Sequence, residues 1–96
     1  MTCIDLVKEK RHQIIQIAER YGARNVRVFG SVARGQADER SDIDFLVELQ
    51  PGRTLFDLGG LQMDLETTMG RPVDVVTEKG IKARIRSAVL AEAIPV

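Results

Sequence analysis

The sequence predicts an α/β fold of the α+β kind, a small mixed three-stranded sheet with helices packed mainly on one face. Three observations lead there. Three short runs rich in β-branched and aromatic residues, at 26–29, 43–49 and 73–76, are bounded by glycine, proline or polar turn residues. Around them lie longer segments whose apolar residues recur at three- and four-residue intervals, the spacing of a one-sided helix. The chain has 96 residues, 44% of them hydrophobic, which suits one modest core in a single domain over 1–96.

The elements follow in order. A first helix is expected over 2–21, with Val7, Ile14, Ala18 and Tyr21 on its apolar stripe, Thr2 as its cap and Gly22 at its end. The first strand, Val-Arg-Val-Phe at 26–29, stops at Gly30-Ser31. One helical turn is expected over 31–34, with Ser31 as its N-cap and Gly35 closing it, followed by a polar loop over 36–41. The second strand, 43–49, ends at Pro51-Gly52. About a dozen residues join the first two strands, too many for a tight hairpin, and their relative direction stays open.

Thr54 is suited to cap a helix striped by Leu58, Leu61, Leu65 and Met69 and ended by Gly70, with Pro72 just beyond. Gly59 and Gly60 inside it cost roughly 1 kcal/mol each relative to alanine, so something packs closely there or the helix bends. A third strand follows over 73–76. The last helix is expected over 80–93, with Ile81, Ile85, Ala88 and Val89 facing inward, and Ile94-Pro95-Val96 as a tail.

Charge and cysteine content narrow the partners. Fourteen basic residues balance fourteen acidic ones, which speaks against broad electrostatic binding to nucleic acid or an anionic membrane. The single cysteine, Cys3, has no partner for an internal disulfide, and a reducing cytoplasm fits. No segment approaches the ~20 apolar residues of a membrane span, and the N-terminus has no signal-peptide core.

The chemistry sits between residues 30 and 44. Side chains two apart on a strand share a face, so Asp42 and Asp44 stand together if strand geometry already holds at 42, with Ile43, Phe45 and Val47 opposite. As a bare pattern this is no more than chance, since Asp64 and Glu66 repeat it mid-helix, where residues two apart diverge onto a solvated face. Asp74 adds a second observation. It interrupts Val73, Val75 and Val76, and a carboxylate there needs water, a donor or a cation; it faces solvent on an edge strand or, if its strand pairs with the second, completes a triad. Three carboxylates suit two Mg2+ ions about 3.5–4 Å apart, the arrangement of in-line phosphoryl chemistry. Gly30 lets backbone approach a phosphate and Ser31 offers a hydroxyl, although such a pair also serves as an ordinary turn. Arg34, one helical turn on, can reach the same phosphates or lie in water. A Walker loop is absent.

Together, Gly30-Ser31, ten residues, Asp42-x-Asp44 and a later strand aspartate at 74 resemble the minimal nucleotidyltransferases of the DNA polymerase β-like superfamily. The short chain, the Gly-Ser-Val-Ala-Arg-Gly stretch, Gly-Arg-Pro-Val-Asp-Val-Val-Thr and the basic last helix resemble, more narrowly, the MNT antitoxins paired with HEPN toxins. The resemblance covers almost the whole chain. It implies a nucleotidyltransferase-like fold, Asp42, Asp44 and Asp74 as catalytic metal ligands, and Gly30 and Ser31 on the triphosphate. It further implies transfer of AMP from ATP, with two Mg2+ ions, to a tyrosine hydroxyl of a cognate HEPN-type toxin, in a hetero-oligomer. Two other readings compete: an antitoxin that neutralises by occlusion, and a transferase acting on a small molecule.

Weaker landmarks complete the sequence. Lys79, Lys82 and Arg86 make a basic face or a solvated one, His12 is expected to be exposed, and Met63 and Met69 to fill the core or face a partner.

Overall fold

The computed structural model describes residues 2–38 and 40–96. Met1 and Glu39, the latter within the expected loop at 36–41, lie outside the described residues. The elements are α1 (Cys3–Glu9), α2 (Arg11–Arg20), β1 (Ala23–Phe29), α3 (Gly30–Ala33), β2 (Ile43–Leu49), α4 (Leu55–Met69), β3 (Val73–Thr77), a 3-10 turn (Glu78–Gly80), α5 (Ala83–Glu92) and β4 (Ile94–Pro95). The strands lie in the order β3-β2-β1-β4. β1 is antiparallel to β2 and β4, and β2 runs parallel to β3, so the sheet is mixed as expected.

The sheet has four strands rather than three. Ile94-Pro95 is not a tail: it pairs with Val28 and Arg27, and the Val96 N–H donates to the Val26 carbonyl at 3.0 Å. Proline is tolerated there because β4 is an edge strand.

The first helix is two helices parted at Lys10, whose φ and ψ are −96° and 15°. Residues 8–13 are six consecutive polar side chains, so nothing between Val7 and Ile14 anchors a continuous register. Thr2 caps α1 and Thr54 caps α4, each in a capping box with the aspartate three residues on, and Gly70 closes α4 in the left-handed region.

β1 begins at Ala23, three residues ahead of the expected start, because Asn25 (φ 52°) sits in a bulge. The extra residue lets Ala23 and Val28 both face the core although five apart, and it turns Arg27 and Phe29 to the other side. Core residues Val28, Ile43, Phe45, Val47, Val73 and Val75 meet Val7, Ile14, Ala18, Leu61 and Leu65 from α1, α2 and α4. Gly60 packs against the Tyr21 ring, whereas Gly59 faces open space. Met69 joins the core, but Met63 is 69% exposed. Asp64 is not merely solvated, for it accepts a hydrogen bond from the Tyr21 hydroxyl at 2.7 Å.

Among the described residues the opposite face carries the 3-10 turn and α5, which is shorter than expected. Its single buried residue is Val89; Ile85 and Ala88 are exposed and Ile81 is half-buried. Apolar spacing predicted an inward stripe, but α5 touches β1 and α3 so lightly that most of the stripe stays in solvent. No helix among the described residues is long and apolar enough to cross a membrane.

Candidate active site

Strand β1 leaves the sheet at Gly30, whose φ of +71° turns the chain into α3. A Cβ built at Gly30 would overlap the Asp44 carboxylate oxygen, so glycine answers both a backbone conformation and a close approach. Ser31 does not cap α3; the N-cap position falls on Phe29, without a side-chain cap bond, and Ser31 lies half-buried in the first turn. Gly35, also at φ +71°, closes the turn as expected.

Asp44 stands between Phe29 on β1 and Asp74 on β3 in the strand register. Neighbouring strands lie about 4.8 Å apart, so the two carboxylates share the face turned away from the core helices. Asp44 is half-buried, and its carboxyl is pushed above the usual range, first by burial and then by the charges of Asp74 and Asp42; Arg34 partly offsets this and Glu92 adds to it. Asp42 lies one residue ahead of β2 and is exposed, and Asp74 is exposed on the edge strand. Asp74 therefore faces solvent on an edge strand and also lies beside Asp44 in register. Among the described residues no three His, Cys, Asp or Glu side chains converge to hold a metal ion. The all-carboxylate donors suit a hard cation, and the charge at Asp44, only partly offset by Arg34, favours one.

Arg34 turns toward the same place. Its Nη1 donates to Glu92 Oε2 at 3.0 Å, its Nε to Gln36 Oε1 at 3.0 Å, and the Gly30 N–H donates to Glu92 Oε1 at 3.0 Å. Glu92 escaped sequence reading because a lone glutamate at a helix end, 62 positions from Gly30, gives no local signal.

A second ion pair lies farther along the same face. Arg27 Nη1 donates to Glu78 Oε1 at 2.8 Å, with the side chains 11% and 22% exposed, and Arg86 Nη1 donates to the Glu78 carbonyl at 2.8 Å. The Arg27 bond holds the Glu78 carboxyl below the usual range. Of the expected basic face, Arg86 is thus committed to Glu78, while Lys79 and Lys82 are exposed. A cavity of about 440 Å3 between α1 and α3 is lined by Cys3, Leu6, Val32, Asp38 and Arg71 but by none of the three aspartates, of which Asp42 and Asp74 are exposed and Asp44 half-buried.

Residues 11–96 match the family model for the nucleotidyltransferase domain. A candidate protein adenylyltransferase of Methanocaldococcus jannaschii is 39% identical over 90 residues, covering 94% of this chain and 97% of that protein. A solved structure described as a minimal nucleotidyltransferase superposes with a TM-score of 0.88 at 46% identity, covering 100% of this chain and 97% of the other. The crystal structure of a toxin–antitoxin with AMP-PNP shares the fold, with a TM-score of 0.75 at 20% identity over 88% of this chain and 69% of the other.

Proposed function

Because this chain belongs to the nucleotidyltransferase domain family, we propose that it is a protein adenylyltransferase that moves AMP from ATP to a tyrosine hydroxyl of a cognate HEPN-type toxin, and so acts as an antitoxin. One observation carries the reading: Gly30 turns over Asp44, with Asp74 beside it in register and an oxyanion held by the Gly30 amide and Arg34. The oxyanion is the Glu92 carboxylate, which stands in for phosphate oxygens.

In this reading the Gly30 N–H, the Ser31 hydroxyl and the Arg34 guanidinium bind the triphosphate. Asp42, Asp44 and Asp74 would hold two Mg2+ ions, whose chemistry is to neutralise charge on the phosphates and the leaving group. The acceptor oxygen attacks the α-phosphorus, a new O–P bond forms, and the bond from that phosphorus to the bridging oxygen breaks, releasing pyrophosphate. Asp74, exposed at the sheet edge, takes the hydroxyl proton.

The exposure of Asp42 and Asp74 supports an acceptor delivered by a partner, hence a hetero-oligomer. The AMP-PNP-bound toxin–antitoxin relative supports ATP and a toxin as the two partners. A cytoplasmic location goes with ATP as substrate and with Cys3 as a free thiol. A second reading, neutralisation by occlusion, draws on the exposed apolar side chains Leu55, Phe56 and Met63. The test is mass spectrometry of the co-encoded partner after incubation with the protein, ATP and Mg2+. An AMP increment that Asp42→Asn with Asp44→Asn abolishes, in a variant that remains folded, supports transfer; neutralisation undiminished by that double substitution favours occlusion.

A further inference from the structure

Glu92 is the last residue of α5, and each of its carboxylate oxygens takes one hydrogen bond from a group assigned above to the triphosphate. Oε1 accepts from the Gly30 amide and Oε2 from Arg34 Nη1, both at 3.0 Å. Two oxygens of one anion bridging a backbone amide and a guanidinium reproduce the contacts a phosphate would make. The side chain is 25% exposed, and α5 buries only Val89, so Glu92 can swing into water without opening the core. Its charge also lies near Asp44, where a triphosphate would meet repulsion from it.

We infer that Glu92 is an internal competitor for the nucleotide: it fills the phosphate positions at Gly30 and Arg34 when no nucleotide is bound and leaves when ATP enters. The inference rests on the reading of Gly30 and Arg34 as triphosphate ligands. It makes Glu92 a determinant of nucleotide affinity that works against binding, and it keeps Arg34 ordered in the free protein.

Calorimetric titration of the full chain with ATP and Mg2+, and separately with inorganic tripolyphosphate, tests this without any acceptor. Glu92→Gln and Glu92→Ala should bind both probes about three- to tenfold more tightly than the parent, the scale of losing one partly exposed charge contact. Glu19→Gln, an exposed carboxylate on α2, should bind as the parent does. Equal or weaker binding by both Glu92 variants overturns the inference. If that occurs while the parent still transfers AMP, only the competitor is lost; if no variant binds ATP, the triphosphate site itself is lost as well. The intact parent gives a second measurement. The carboxyl 13C resonance of Glu92 should move when tripolyphosphate saturates the protein, and a stationary resonance contradicts displacement.

Discussion

At the scale of single residues, Gly30 and Asp44 constrain each other. Gly30→Ala would place a Cβ against the Asp44 carboxylate in a backbone conformation that disfavours side chains. The conformation alone costs about 1–2 kcal/mol, and Asp44 must move as well. Urea denaturation should show at least that loss, and an AMP-transfer assay should show activity abolished. Asp44 predicts the opposite sign. Its folded carboxyl lies above the ordinary range, so the folded state holds its proton more tightly and loses stability as pH rises through the window between the ordinary and raised values. Asp44→Asn removes that charge. At neutral pH it should stabilise the protein modestly, since the group is only half-buried, while abolishing transfer. A destabilised Asp44→Asn would contradict a penalty from burying the Asp44 charge beside Asp74 and Asp42. The motif residues were legible because Gly30, Asp44 and Asp74 each break a local pattern: a glycine ending a strand and carboxylates inside apolar runs. Glu92, Arg27 and Glu78 were not, since each acts through a contact distant in sequence.

Adjacent glycines make the element scale testable in α4. Gly59 has open space where a Cβ would go, so Gly59→Ala should gain roughly 0.5–1 kcal/mol from helix propensity. At Gly60 the added Cβ would lie 2.5 Å from Tyr21 Cε1, and the tyrosine is held by its 2.7 Å bond to Asp64, so Gly60→Ala should destabilise. Paired denaturation curves check both signs. The expectation of close packing at this glycine pair thus holds at one member only. Strand β2 matched its expected bounds because its apolar run ends sharply at polar and turn residues on both sides. Strand β4 was illegible: three residues containing a proline have no period, and only β1 gives them a partner. The break at Lys10 was written as a polar run with no apolar anchor, and the bulge at Asn25 as one residue tolerant of positive φ, yet neither position has a period of its own. On α5 the periodicity was present but had almost no surface to pack on, which is why Ile85 is 46% exposed.

The whole molecule divides its labour between the two faces of one sheet. Helices α1, α2 and α4 seal one face with the core, leaving the carboxylates, the Gly30 turn and the Arg27–Glu78 pair on the other beside a lightly anchored α5. That pair ties the 3-10 turn to β1, with Glu48 close by and Arg86 bonded to the Glu78 carbonyl. Because the folded Glu78 carboxyl titrates below its unfolded value, the stabilisation is complete above the ordinary glutamate range and is lost as pH falls through the lowered value. Glu78→Gln should therefore lower Tm at neutral pH, and its Tm should fall less steeply than the parent's on acidification below about pH 4.3. With zero net charge, attraction to any partner is local. The proposed transfer of a nucleotide to a partner protein at Asp42, Asp44 and Asp74 can be read from the intact mass of the co-encoded partner after incubation with ATP and Mg2+. An AMP increment on a partner tyrosine that disappears with Asp44→Asn is expected; an unmodified partner, or one modified equally by the Asp44→Asn variant, would rule out transfer at these carboxylates.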